Sequence, residues 1–245
     1  GAAEAVIAAV RAFKLSFEDT QRITDAFTEA MNRTTLGGKD LVYALASIGP
    51  VAGQAGQSLE QTLAAVAALK DAGASAQDAA TSVRAAMMRL SAPSTEARKM
   101  MEALGIEIWD AAGNMKQWGD IVAEFEAALA GLTKQQEQEA LATIFGTDGI
   151  RAIAASMALG SSQVNELAAG FADAEGTTKI FASAMADTLD GAMRKMQGNL
   201  QRIQVTMSQD VEPAIRGLID WVDKLAVWFN NLDDETRRFV EYALG

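Results

Sequence analysis

Start and stop signals for helices recur about every 12 to 18 residues along the first 175 positions, and this rhythm constrains the fold more than any other feature. Four quartets open with a hydroxyl residue and place an acid or amide three positions on: Ser16-Phe17-Glu18-Asp19, Ser58-Leu59-Glu60-Gln61, Ser75-Ala76-Gln77-Asp78 and Thr133-Lys134-Gln135-Gln136. Each resembles a capping box. The hydroxyl accepts an unpaired backbone N–H of the first turn, and the acid or amide returns a bond to the N–H of the hydroxyl residue. Gly49 (before Pro50), Gly73, Gly105, Gly131, Gly146 and Gly160 follow apolar-periodic runs and read as stops. Pro93 reads as the first residue of a further helix, where its missing N–H costs nothing. Between the signals the apolar spacing is helical: Leu59, Leu63, Val66 and Leu69 on one face, Val83, Met87 and Leu90 on another, and Ile121, Phe125, Ala128 and Leu129 on a third. Alanine, the best helix former, is the commonest residue, and the chain holds three prolines. The fold class these observations predict is all-α.

Three segments need separate treatment. Gly105-Ile106-Glu107-Ile108-Trp109 alternates apolar and polar, Asp110-Ala111-Ala112-Gly113-Asn114 is turn chemistry, and Met115-Lys116-Gln117-Trp118 offers a return. A short β-hairpin or an extended loop is expected over 105–118, packed on helices because two strands alone are marginal. Leu41 to Leu59 is uncharged and nearly long enough to span a membrane, but Gly49-Pro50, Gly53, Gln54, Gly56, Gln57 and Ser58 make its second half too polar. It reads as a buried helix, then a loop, then the cap of the next helix. The glycine-rich stretch 49–56 has no Gly-Lys-Ser/Thr after it and no βαβ setting, and the run Gly37-Gly38-Lys39-Asp40 lacks the spacing of a phosphate loop, so both read as helix–helix turns.

Downstream the breaks cease. Ala186, Leu189, Met193, Met196, Leu200, Ile203 and Met207 step by three and four, the a/d seam of a coiled coil, with polar and charged flanks. Beyond Pro213, Ile215, Leu218, Val222, Leu225 and Phe229 form a second stripe, which Trp221 and Trp228 widen, before a last helix restarts at Leu232-Asp233-Asp234-Glu235. The expected organisation is a compact multi-helix domain at 1–175, a long heptad-patterned helix at 176–209 and a C-terminal amphipathic helical segment at 210–245. Leu189, Met193, Met196, Leu200, Ile203 and Met207 are the candidate packing seam. Trp221, Val222, Leu225, Trp228 and Phe229 are the candidate C-terminal apolar face. Both need a partner surface, either other helices of this chain or other copies of it.

Catalysis finds little support. The chain has no cysteine and no histidine. Thiolate metal sites, disulfides, Ser-His-Asp and Cys-His chemistry and histidine-ligated zinc are therefore excluded within it. Carboxylate neighbours such as Glu124/Glu126 and Asp233/Asp234/Glu235 read as helix surface and helix first turns, without the flanked cleft of a glycosidase. The 11 methionines read as core and seam filling. A net charge of −11 repels a nucleic-acid backbone, and Arg194, Lys195 and Arg202 are a solvated helix flank. No catalytic, cofactor-binding or metal-binding residue is expected, and no direct contact with nucleic acid.

One ordered series of segments is more specific. It comprises Leu15-Ser16-Phe17-Glu18-Asp19; Ile48-Gly49-Pro50-Val51-Ala52; Ser58-Leu59-Glu60-Gln61-Thr62 with Ala72-Gly73; Val83 to Leu90 with Pro93; Ala103-Leu104-Gly105-Ile106; Asp110-Ala111-Ala112-Gly113-Asn114-Met115; and Ile144-Phe145-Gly146-Thr147-Asp148. In order and spacing, over roughly residues 5 to 210, this resembles the core region of bacteriophage tail tape measure proteins of the TP901 type. Ala79-Ala80-Thr81 departs from it, standing where an Ala-Gly-Thr-like step is expected.

The resemblance implies a scaffold of a phage or prophage tail, assembled in the bacterial cytoplasm, that sets tail length and leaves through the tube ahead of DNA. It also implies a fragment of a longer protein, with tail-tube proteins, tail-tip proteins and tail assembly chaperones as partners. Two other readings stand beside it: a membrane-active helical protein, carried by the Trp221/Trp228 face, and a generic helical adaptor. A wall hydrolase fused to a tail protein is a third, and the residues give it no dyad.

Overall fold

The computed structural model describes residues 2–180. The candidate seam from Leu189 to Met207 and the candidate face from Trp221 to Phe229 lie outside the described residues. The elements run in order as α1 (Ala2–Ala12), a 3₁₀ turn (Phe17–Asp19), α2 (Thr20–Arg33), α3 (Gly38–Gln54), α4 (Leu59–Asp71), α5 (Ala76–Ser91), α6 (Thr95–Leu104), α7 (Trp118–Leu129), α8 (Lys134–Leu159) and α9 (Ser161–Ala172). The protein is all-α over these residues, and Gly1–Thr177 forms one compact unit.

At the centre lies α4. Ten of its thirteen residues are buried, Leu59, Glu60, Thr62 to Leu69, so it is enclosed on every side and not along one face. It packs against α2, α3, α5, α7, α8 and α9. Only a helix lined by small residues can take so many neighbours, because interaxial distance is set by the side chains at the contact. Ala64, Ala65 and Ala67 have no exposed surface at all.

The capping signals are realised with corrections. Thr133 and Gln136 form a complete reciprocal box at α8. Ser58 and Ser75 each accept from the N–H three residues on, but neither quartet closes as a box. Gln61 is engaged elsewhere, and Ser58 N–H donates to Gln117 Oε1 at 2.9 Å. In the first quartet only the acid's half forms: Asp19 Oδ2 accepts from the N–H of Ser16, ahead of a 3₁₀ turn, while the Ser16 hydroxyl donates to the same oxygen instead of accepting. Ser94, not Pro93, caps α6, so the proline precedes the helix instead of opening it. Gly37-Gly38-Lys39-Asp40 is the start of α3, with Asp40 Oδ2 accepting from Gly37 N–H at 3.0 Å.

The expected stop at Gly49-Pro50 is overturned, since α3 runs through both to Gln54. Pro50 cannot bond the Ala46 carbonyl, but both residues lie on the exposed face of the helix. The opposite face stays buried through Leu41, Ala44, Leu45, Ile48, Gly49 and Ala52, and that burial carries the helix across the proline. The glycines here serve packing. A Cβ on Gly49 would lie 2.7 Å from Ala12 Cβ, and one on Gly53 would fall on the Ala12 carbonyl. Of the stretch 49–56, only the last residues form a turn, ended by Gly56 at φ +75°.

Of the hairpin or extended loop expected over 105–118, the loop is what forms. A single antiparallel bridge joins Trp109 and Met115, and no strand is present among the described residues.

The most extensive helix crossing brings together two segments far apart in sequence, α5 and α8. The Ser82 hydroxyl donates to the Asp148 carbonyl. A Cβ on Gly149 would stand 3.0 Å from Ala86 N. Just before these contacts α8 bends at Gly146, which takes φ 66°, ψ −173°, with the Arg89 guanidinium against it. The bend aims Phe145 at Phe125, ring centroids 5.0 Å apart, while Ser156 further along accepts from the fully buried Trp118 Nε1 at 2.9 Å.

Helix propensity favours alanine over glycine, so the sign of a substitution at Gly149 tests the close crossing. Gly149→Val should destabilise the protein by about 1–3 kcal/mol in urea melts, through overpacking against the α5 backbone. Gly131→Ala, with nothing within 4 Å of its added Cβ, should change stability by less than about 0.5 kcal/mol.

Candidate interaction site

Among the described residues the large apolar side chains that stand exposed are Ile7, Tyr43, Met88, Trp109 and Ile180. Met88 and Trp109 share one groove of about 610 Å³, between the end of α3, the end of α5 and the loop 105–117. Met88 points outward because Val83, Ala86, Met87 and Leu90 take the inner face of α5. Trp109 points outward because Ile106, Ile108 and Met115 anchor the loop in the core on the other side. The remaining lining is uncharged, with Gln54, Ser91 and Asn114 as its hydrogen-bonding side chains.

Two devices hold the loop that carries Trp109. The first is local. Asp110 Oδ1 accepts from the N–H groups of Ala112 and Asn114, at 2.9 and 2.8 Å. These bonds, the one from Asn114 foremost, hold its carboxyl below the usual carboxylate range. The second is a set of side-chain amides. Gln57 Nε2 donates to the Lys116 carbonyl at 2.8 Å, and Gln117 Nε2 to the Gly56 carbonyl at 2.9 Å. One turn on, Gln61 takes the Gly119 N–H on its Oε1 and donates to Asn165 Oδ1. The loop, the α3–α4 turn and α9 are thereby tied to one another. Lys116 adds an ion pair with Glu124 at 2.7 Å, which raises its pKa above the ordinary lysine value.

The chemistry on offer is recognition by shape and hydrogen bonding. No group of three or more metal-ligating side chains occurs among the described residues. A second groove of about 420 Å³ carries Arg11 and Lys14 above an apolar floor of Ala8, Ala12, Leu45 and Pro50. Both cations sit at the C-terminal end of α1, where the helix dipole favours positive charge. No described helix is long and apolar enough to cross a membrane. The sequence reading missed the groove with Trp109. Its only sequence signals were the alternation at 105–109 and an exposed Met88 indistinguishable by pattern from its buried neighbour Met87.

Asp110 sets a pH response. Its folded pKa is depressed, so the stability it contributes is present above the unfolded value of 3.8 and is lost as pH falls through the lower folded value. The Ala112 and Asn114 amides should lose their protection from exchange over that acid window. In Asp110→Ala they should be unprotected at neutral pH as well. Nuclear magnetic resonance of those two amides is the check.

Comparison with known proteins gives the context. Residues 1–146 match the family described as phage-related minor tail protein. The chain is 28% identical over 242 residues to a protein named tape measure protein of Pneumococcus phage Dp-1, a match covering 99% of this chain and 21% of that protein. It is 32% identical over 216 residues to one named probable tape measure protein of Escherichia phage P2, covering 87% of this chain and 26% of that protein. The chain thus spans between a fifth and about a quarter of the length of these relatives. No solved structure matches.

Proposed function

This chain belongs to the phage-related minor tail protein family, and from that premise we propose that it is a structural segment of a tail tape measure protein, working in the virion tail without catalysis. The observation that carries this reading is the likeness of 99% of this chain to 21% of the tape measure protein of phage Dp-1. The finer role follows from the contrast inside the chain. A helical ruler advances about 1.5 Å per residue only along unbroken helix. The compact unit is broken into short helices, six of which pack around α4, so its residues add bulk and surface instead of length. Length would be set by uninterrupted stretches such as the heptad-patterned 176–209, roughly 45 Å over 177–207 if wholly helical. Tail-tube and tail-tip proteins and assembly chaperones are the partners this role calls for. Departure through the tube ahead of DNA belongs to the same reading.

Two experiments test it. Removing one heptad in frame from 186–207 should shorten assembled tails by about 10 Å, and two by about twice that, measured by electron microscopy of virions. Tails of unchanged length would reject measurement by that stretch. Leu200→Asp places a charge in the seam and should abolish whatever packing uses it. If the seam joins copies, sedimentation should show the assembly falling to monomer, and a monomer both before and after would exclude an inter-chain seam.

A further inference from the structure

At α3, α4 and α8 a side-chain oxygen accepts from the N–H of the N-cap residue. At α3 the N-cap is Gly37, which has no side chain, and its N–H donates to Asp40 Oδ2 at 3.0 Å, from the third residue of the same helix. At α8 Gln136 serves Thr133 N–H from the same position, also at 3.0 Å. Residues 177–180 are helical too, which puts Gly176 at an N-cap. Its φ of +79° suits glycine, and it has no side chain to offer. The third helical residue there is Lys179, whose ammonium group only donates. The local sequence therefore lacks both halves of a capping box. The Gly176 N–H donates instead to Asp25 Oδ2 at 2.9 Å. Asp25 lies in the middle of α2 and is 2% exposed.

We propose that Asp25 is a remote helix cap, a positioning residue that completes the helix start at Thr177 only when α2 is folded in place. Nucleating a first helical turn is the unfavourable step in helix formation, and an acceptor already held by a packed core lowers that cost. A carboxylate at this end also suits the helix dipole. A buried acid on an otherwise helical α2 is costly without donors, and the Gly176 N–H supplies one. The helical turn at 177–180 is thus conditional on the compact unit, and the order of folding is fixed: compact unit first, that turn second.

Hydrogen exchange on the full 245-residue chain tests this. In Asp25→Ala, exchange at 176–180 should accelerate by about tenfold, while the amides of α7 and α8 around Trp118 and Ser156 keep their protection. Adding Lys179→Glu should restore slow exchange, because it installs at 179 the acid that Asp40 supplies at α3. Unchanged exchange at 176–180 in Asp25→Ala overturns the proposal, and so does an acceleration that Lys179→Glu leaves in place. If Asp25→Ala fails to fold, urea titration of the unaltered chain decides. Loss of protection at 176–180 no later than the unfolding of the core around Trp118 supports the proposal. Protection that outlasts that unfolding overturns it.

Discussion

The enclosure of α4 is the constraint from which the rest of the compact unit follows. A helix buried on one face needs a partner on one side, but a helix buried all round needs a ring of them, each close enough to exclude water. Alanine makes this possible at Ala64, Ala65, Ala67 and Ala68, and Leu59, Leu63, Val66 and Leu69 fill the gaps between neighbours. The same economy recurs where α1 meets α3 at Gly49 and Gly53, and where α5 meets α8 at Ala86 and Gly149. Small residues at helix crossings are the shared device, and they explain how many short helices fit around one centre.

Much of this was legible, and what was not has a common cause. Helix existence followed from periodicity and from hydroxyl residues that do cap, such as Ser58, Ser75 and Thr133. The enclosure of α4 was hidden because alanine reads as neutral in any apolar pattern. Pro50 was misread because a breaker signal is local, while the burial that overrides it comes from helices elsewhere in the chain. Gln61 looked like the second half of a capping box, yet its amide is spent on Gly119 and Asn165, which no local reading connects to it.

The groove beside Trp109 follows the same division. That residues 105–118 would leave the helical pattern was visible in their alternation and turn chemistry. That the loop would be tied down by paired glutamine amides, and would set a tryptophan beside an exposed methionine, was not. Long-range amide contacts leave no period in the sequence. Family resemblance carried the functional reading further than any side-chain constellation did, which is what a protein acting through shape leads one to expect.

The bend at Gly146 has one more consequence. Two helical stretches meeting at Gly146 let 134–159 reach α7 twice, at Phe125 through Phe145 and at Trp118 through Ser156. Proteases cut where several residues can be drawn out extended into a cleft. Here Thr147 and Asp148 are exposed, but Phe145 and Gly149 on either side of them are buried, so the corner of α8 leaves only a short stretch to be drawn out.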